Sequence, residues 1–99
     1  MLTLRIRGTM QGQCVSILVG NGATHNFIDA QMVQRRGITT MEFEGFSVIV
    51  SWKRTMQCMC YVPALAVTMG NYSVTGHFFV VDVLDTNVVM GVKWLYSLG

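Results

Sequence analysis

The side chains that could do chemistry in this 99-residue chain are few: three cysteines, two histidines and five carboxylates, against seven lysines and arginines. Cys58-x-Cys60 with His25 and His77 has the donor types of a zinc centre. Its spacing argues against one, because a single intervening residue on a strand puts both thiols on one face and no return pair completes the four ligands. The cysteines therefore read as buried or half-buried thiols, His25 as a structural hydrogen-bonding residue, and no metal or other cofactor is expected. Gly20-Asn21-Gly22-Ala23-Thr24 is a loop of small residues in which backbone outweighs side chain. It has no lysine and lacks the spacing of a phosphate cradle, so a nucleotide is not its ligand. Asp29 stands where a helix would need its N-cap, Asp82 ends a strand, and Arg35-Arg36 fall in a last helical turn, where cations complement the dipole.

The elements that must position these residues follow from periodicity. Leu2, Leu4 and Ile6 alternate with Thr3, Arg5 and Arg7, the pattern of a strand with one buried face. After the turn at Gln11-Gly12-Gln13, Cys14 to Val19 is an almost unbroken apolar run suited to a strand covered on both faces. The two form a hairpin that delivers the chain into the Gly20 loop. Ile28, Met32 and Val33 recur at helical spacing up to Gly37, which predicts a short helix of about two turns. Residues 38 to 50 and the run resuming at Met56 form a hairpin with its tip over Ser51, Trp52, Lys53, Arg54 and Thr55, where Trp52 is a candidate contact residue. Pro63 separates that hairpin from two more strands, Leu65 to Met69 and Tyr72 to Leu84, joined at Gly70-Asn71. Val92, Leu95, Tyr96 and Leu98 space as one face of a terminal helix. The eight methionines are adaptable filler for a core or an interface. The whole is one mostly β domain over residues 1–99, with closed or barrel-like tendencies.

Composition narrows the function classes. The apolar set makes up 52% of the chain and charged residues only 12%, about half the usual charged share. That excludes a disordered chain, and a net charge of +2 leaves no basic stripe to track a phosphate backbone, so no nucleic-acid partner is expected. A lone domain of this size buries roughly 60–65% of its unfolded surface, so an apolar surplus points to contact with another chain. Three cysteines suit a reduced, intracellular and cytoplasmic setting better than a disulfide framework. No signal peptide and no apolar run of membrane-spanning length is visible, and no membrane partner is expected.

The segment Ile17-Leu18-Val19-Gly20-Asn21-Gly22-Ala23-Thr24-His25-Asn26-Phe27-Ile28 resembles the active-site segment of retropepsin-type aspartic proteases. The likeness is greatest to those in polyproteins of plant gypsy-type LTR retrotransposons, where a hydrophobic strand runs into Asp-Ser/Thr-Gly-Ala-Thr-His-Asn-Phe-Ile. Val88-Val89-Met90-Gly91, followed by Val92 to Leu95, resembles the family's hydrophobic-hydrophobic-Gly strand and terminal helix. Leu65-x-Val67-x-Met69-Gly70 and the Phe78 to Asp82 strand match more loosely. The resemblance covers nearly the whole chain. It implies an all-β, retropepsin-like (acid protease) fold, half of a closed barrel, with a short internal helix and a C-terminal helix, and it implies a homodimer.

In that family the first residue of the Asp-Ser/Thr-Gly triplet is the catalytic aspartate, one from each subunit, and the pair shares a proton and activates a water. Here Gly20 fills that position, Asn21 takes the place of the Ser/Thr whose hydroxyl ties the two loops together, and only Gly22 is kept. A glycine supplies no carboxyl, and two-fold symmetry removes both at once. Asn21 points to the opposite face of an extended segment, and its amide is no base. The resemblance thus implies a vestigial active-site loop, Gly20 to Thr24, with no catalytic residue. The flap tip, Ser51 to Thr55, lacks the usual glycines, and none occurs between Phe46 and Met69. The expected function is a catalytically inactive, retrotransposon-derived domain that homodimerises or binds a peptide or protein in its groove. The alternative is an active polyprotein-processing endopeptidase whose aspartate has been exchanged at position 20.

Overall fold

The computed structural model describes residues 3–20, 25–51, 54–82 and 86–91. Seven strands and one helix follow in the order β1 (Thr3–Met10), β2 (Gln13–Gly20), β3 (Phe27–Asp29), α1 (Ala30–Arg36), β4 (Met41–Ser51), β5 (Arg54–Met69), β6 (Tyr72–Val81) and β7 (Val88–Met90). All strands join one sheet in the spatial order β1-β2-β7-β3-β6-β5-β4, and β1 meets β5 again where Thr9 faces Thr68. Six strands therefore close into a ring, and β4 hangs on the outer edge of β5. The mostly β character expected from the sequence is present. The proposed C-terminal helix and the tip residues Trp52 and Lys53 lie outside the described residues. So do Asn21, Gly22, Ala23 and Thr24.

Each junction has a local cause. The β1–β2 turn places Gln11 at φ 53° and Gly12 at φ 78°, the left-handed pair whose twist matches a two-residue hairpin. The ring closes at Gly8, where any Cβ would meet the Thr68 carbonyl oxygen and stand 2.7 Å from Ile17 Cδ1. Only glycine lets β1 approach β5 so closely. In β2, Val15, Ile17 and Val19 are buried while Ser16 and Leu18 are half-buried, so both faces are covered as the apolar run implied. The helix stops where Gly37 turns left-handed (φ 61°, ψ 38°). There the Gly37 and Ile38 amides donate to the Gln34 and Val33 carbonyls at 3.2 and 3.1 Å, satisfying two carbonyls of the last turn. Asp29 occupies the N-cap position, but its side chain makes no capping bond, so the cap read from the sequence is positional only.

The ladders shift register at three places, one of them near the end of the β4–β5 hairpin between Ile49 and Ser51, and the other two change which side chains meet the core. Between the pairs Glu42–Cys60 and Phe46–Cys58, three β4 residues oppose one on β5, so Phe43 and Phe46, three apart, are both brought into one aromatic cluster. Between Val62–Phe78 and Leu65–Gly76, Pro63 and Ala64 oppose His77 alone, with Ala64 at φ 51°. That extra residue inverts the alternation, so Val62 and Leu65 both face the core. The expected break at Pro63 is therefore a bend inside one 16-residue strand. Leu4, read from alternation as buried, is 54% exposed, because the first half of β1 pairs with β2 only.

The main core lies inside the ring, centred on Ile17, Ile28, Met32, Val67, Phe78 and Met90, and a second, smaller cluster of Phe27, Cys58 and Val81 lies beneath β4. No helix among the described residues is long and apolar enough to cross a membrane.

Candidate functional site

β2 runs through the middle of the sheet, antiparallel to β1 and parallel to β7, with Ile17 beside Val88 and Val19 beside Met90. Its last residue, Gly20, is buried and faces Thr3 across the β1–β2 ladder. Past residues 21–24, β3 slots between β7 and β6, Phe27 facing Val89 on one side and Phe79 on the other. Gly20 and Phe27 are thus both fixed by ladder pairs in the same sheet.

Side chains the sequence reading did not single out fasten this frame. Asn26 accepts a bond from the Gly91 amide on its Oδ1 at 3.0 Å and one from the Phe79 amide on its carbonyl at 2.9 Å. Ser16 forms a polar clip with the segment before β7. Its amide donates to Asn87 Oδ1 at 2.9 Å, its Oγ accepts from the Asn87 amide at 3.1 Å, and Thr86 Oγ1 donates to its carbonyl at 3.1 Å. The Ser16 hydroxyl also lies 3.0 Å from Thr86 Oγ1 and 3.2 Å from Asn87 Oδ1. The only sequence signal for this clip was a serine inside an otherwise apolar strand, a polar group that burial obliges to find partners.

The wall around His25 is aromatic. The exposed His25 ring lies 5.1 Å from Phe46 and 5.3 Å edge-on to Phe79, and Phe46 is 5.0 Å from Phe79. Tyr61 continues the row toward His77, 4.9 Å away. The bulge in β4 makes this possible by turning Phe43 toward Phe79 as well, at 5.6 Å. The hairpin reaches outward from this wall, closing with Ser51 opposite Arg54 and with Thr55 opposite an Ile49 that is 80% exposed.

The ionisable groups near this wall offer no paired carboxylates among the described residues. Glu42 and Glu44 are exposed on β4, Asp82 is exposed just past β6, and Asp29 is half-buried ahead of α1. Cys58 and Cys60 come together, the Cys58 thiol donating to the Cys60 carbonyl at 3.5 Å, and burial pushes the Cys58 thiol up from its ordinary value. Cys14 lies apart from them, exposed on β2, its sulfur 3.8 Å from the Arg7 guanidinium. Among the described residues no three His, Cys, Asp or Glu side chains group as metal ligands.

A closed, mostly β ring with one short helix and the long β4–β5 hairpin at its edge is the architecture of a retropepsin-like domain. The chain superposes on the retroviral protease-like domain of Ddi1 from Leishmania major with a TM-score of 0.67 and 13% sequence identity, over 98% of this chain and 78% of that one. Residues 16–98 match the family model of the PEG10/RTL1 protease domain. The chain belongs to that retropepsin-like, retrotransposon-derived family. No curated protein matches it in sequence.

Proposed function

We propose that this domain is a pseudoprotease: it keeps the retropepsin-like fold, has lost peptide hydrolysis, and serves as a homodimerising module with a groove that holds an extended peptide or protein segment. The observation that carries the reading is Gly20, the buried residue at the end of β2, which fills the position where the family resemblance sets a catalytic aspartate. A glycine there can neither hold the shared proton nor activate water. The aromatic wall of His25, Phe46 and Phe79 supports retained binding, since extended peptides are recognised by backbone pairing and apolar pockets that need no catalytic group. The source we propose, on the resemblance of residues 17–28, is a plant gypsy-type LTR element.

Peptide cleavage by the unmodified chain, beside Gly20→Asp and with and without pepstatin, tests the chemistry. No turnover is expected from the unmodified chain. Pepstatin-sensitive turnover by it would refute the loss of catalysis, and turnover gained by Gly20→Asp alone would show that the groove survives. Light scattering is expected to give twice the chain mass, with about 800 Å² buried per subunit, and a monomer at all concentrations would refute the homodimer.

A further inference from the structure

Two strand edges of the sheet carry complementary patterns. The outer edge of β4 is the end of the sheet, and β1 pairs with β2 along its full length while its ladder with β5 is confined to Thr9, beside the close approach at Gly8. On β1 the sequence alternates apolar and basic, Leu4-Arg5-Ile6-Arg7. On β4 it alternates apolar and acidic, Met41-Glu42-Phe43-Glu44. Arg5, Arg7, Glu42 and Glu44 are all exposed, and Leu4 and Met41 are 54% and 49% exposed, beside half-buried Ile6 and Phe43. The segregation extends through the sequence: from Ile38 to Ser51 and from Thr55 to Asp82 every charge is acidic.

We propose that the β1 edge of one copy pairs with the β4 edge of a second copy. Charges on open edges ordinarily forbid edge-to-edge association, and here they do forbid β1 with β1 and β4 with β4, since like charges would face each other. They leave one combination attractive. Run antiparallel, Arg5 faces Glu44 and Arg7 faces Glu42; run parallel, Arg5 faces Glu42 and Arg7 faces Glu44. In either register Ile6 falls opposite Phe43. The contact joins different patches on the two copies, so it is head-to-tail and adds mass beyond a two-fold dimer. A strip of about four residues on each edge, Leu4 to Arg7 against Met41 to Glu44 and ending before Gly45, roughly 13 Å long, gives a weak association that salt screens.

Sedimentation velocity over a concentration series, at low and high ionic strength, tests it with three proteins: the unmodified chain, Arg5→Glu with Arg7→Glu, and Glu42→Arg with Glu44→Arg. The unmodified chain is expected to form species larger than the dimer that recede as salt is raised. Each double variant is expected to raise the dissociation constant of that step at least about tenfold, and an equimolar mixture of the two variants is expected to restore it. Association that ignores salt, or that is lost in each variant and not regained on mixing, overturns the proposal. The salt series on the unmodified chain needs no variant to fold. The two-fold dimer proposed above would persist in both variants, so its failure and the failure of the edge contact are read separately.

Discussion

Gly45 offers a sharp test of how the hairpin is aimed. It sits in the β4 bulge at φ 90°, and a Cβ built there would lie 2.9 Å from the Cys58 carbonyl oxygen and 2.7 Å from Met59 Sδ. Gly12, at φ 78°, is equally left-handed, yet its Cβ would meet nothing within 4 Å. Gly12→Ala therefore pays the conformational penalty alone, about 1–2 kcal/mol. Gly45→Ala pays the same and adds overpacking of about 1–3 kcal/mol, for a total of about 2–5 kcal/mol. Of the two contacts, the Met59 side chain is 53% exposed and can turn aside, whereas the Cys58 oxygen belongs to the paired backbone of β5 and cannot. Met59→Ala in the Gly45→Ala background should accordingly recover little. Urea unfolding of the four proteins at one fixed concentration measures this, with unchanged slopes required for the comparison. Equal losses from Gly45→Ala and Gly12→Ala, or full recovery on removing Met59, would refute the claim that β4 and β5 touch backbone to backbone at the bulge.

Two further outcomes follow from the same structure. Ser16→Ala should cost about 1–3 kcal/mol in urea unfolding, because it strands the Asn87 amide, while Gln57→Ala, which removes an exposed bond to Ser47, should change stability by no more than about 0.5 kcal/mol. The Cys58 thiol, raised by burial, stays protonated in the folded chain at a pH where the unfolded chain has lost its proton, so its contribution is complete below the ordinary thiol value of 9.0 and is lost as pH rises beyond it. Cys58→Ala should make stability fall less steeply above that pH, and an identical pH profile would contradict the burial effect.

The first hairpin, the short helix and the Gly37 stop were legible because each rests on local chemistry: alternation, helical spacing, a left-handed glycine. The phase of burial along β4 and β5 was not legible. Alternation holds only while every residue has one partner, and the extra residues at Phe43–Gly45 and Pro63–Ala64 shift it without altering composition. Pro63 looked like a strand end for the same reason that it is tolerated at a bulge, where no ladder bond needs its missing N–H. The three-residue strands β3 and β7 are too short to show any period, and their pairing depends on partners some 60 residues apart in sequence, Ile28 with Val88 among them. Within the site, the end of β2 at Gly20 was legible in the sequence, but the roles of Ser16, Thr86 and Asn87 were not, because no local pattern links a serine in one strand to an asparagine 71 positions later.

The proposed loss of the aspartate has an energetic side that can be measured without substrate. Gly20 is buried at the end of a strand, and the strands around it are held by Asn26, by the Ser16 clip and by ladder pairs, none of which involves a carboxylate at position 20. The frame therefore gives no sign of needing that charge, while a carboxylate placed there would be removed from water. Burial disfavours the charged form, so the carboxyl introduced by Gly20→Asp would have its folded-state pKa raised above that of the unfolded chain. A group raised in this way costs least below the unfolded value of about 4 and most at neutral pH, once the folded form must also ionise or hold its proton against the solvent. Gly20→Asp is thus expected to lower stability at pH 7 by about 1–3 kcal/mol more than at pH 4, each measured against the unmodified chain at the same pH. A penalty that is flat across this range would mean that water reaches position 20 or that a cation lies within range of it. The first case would remove the burial on which the reasoning rests, and the second would give the vacated position a role in binding anionic groups.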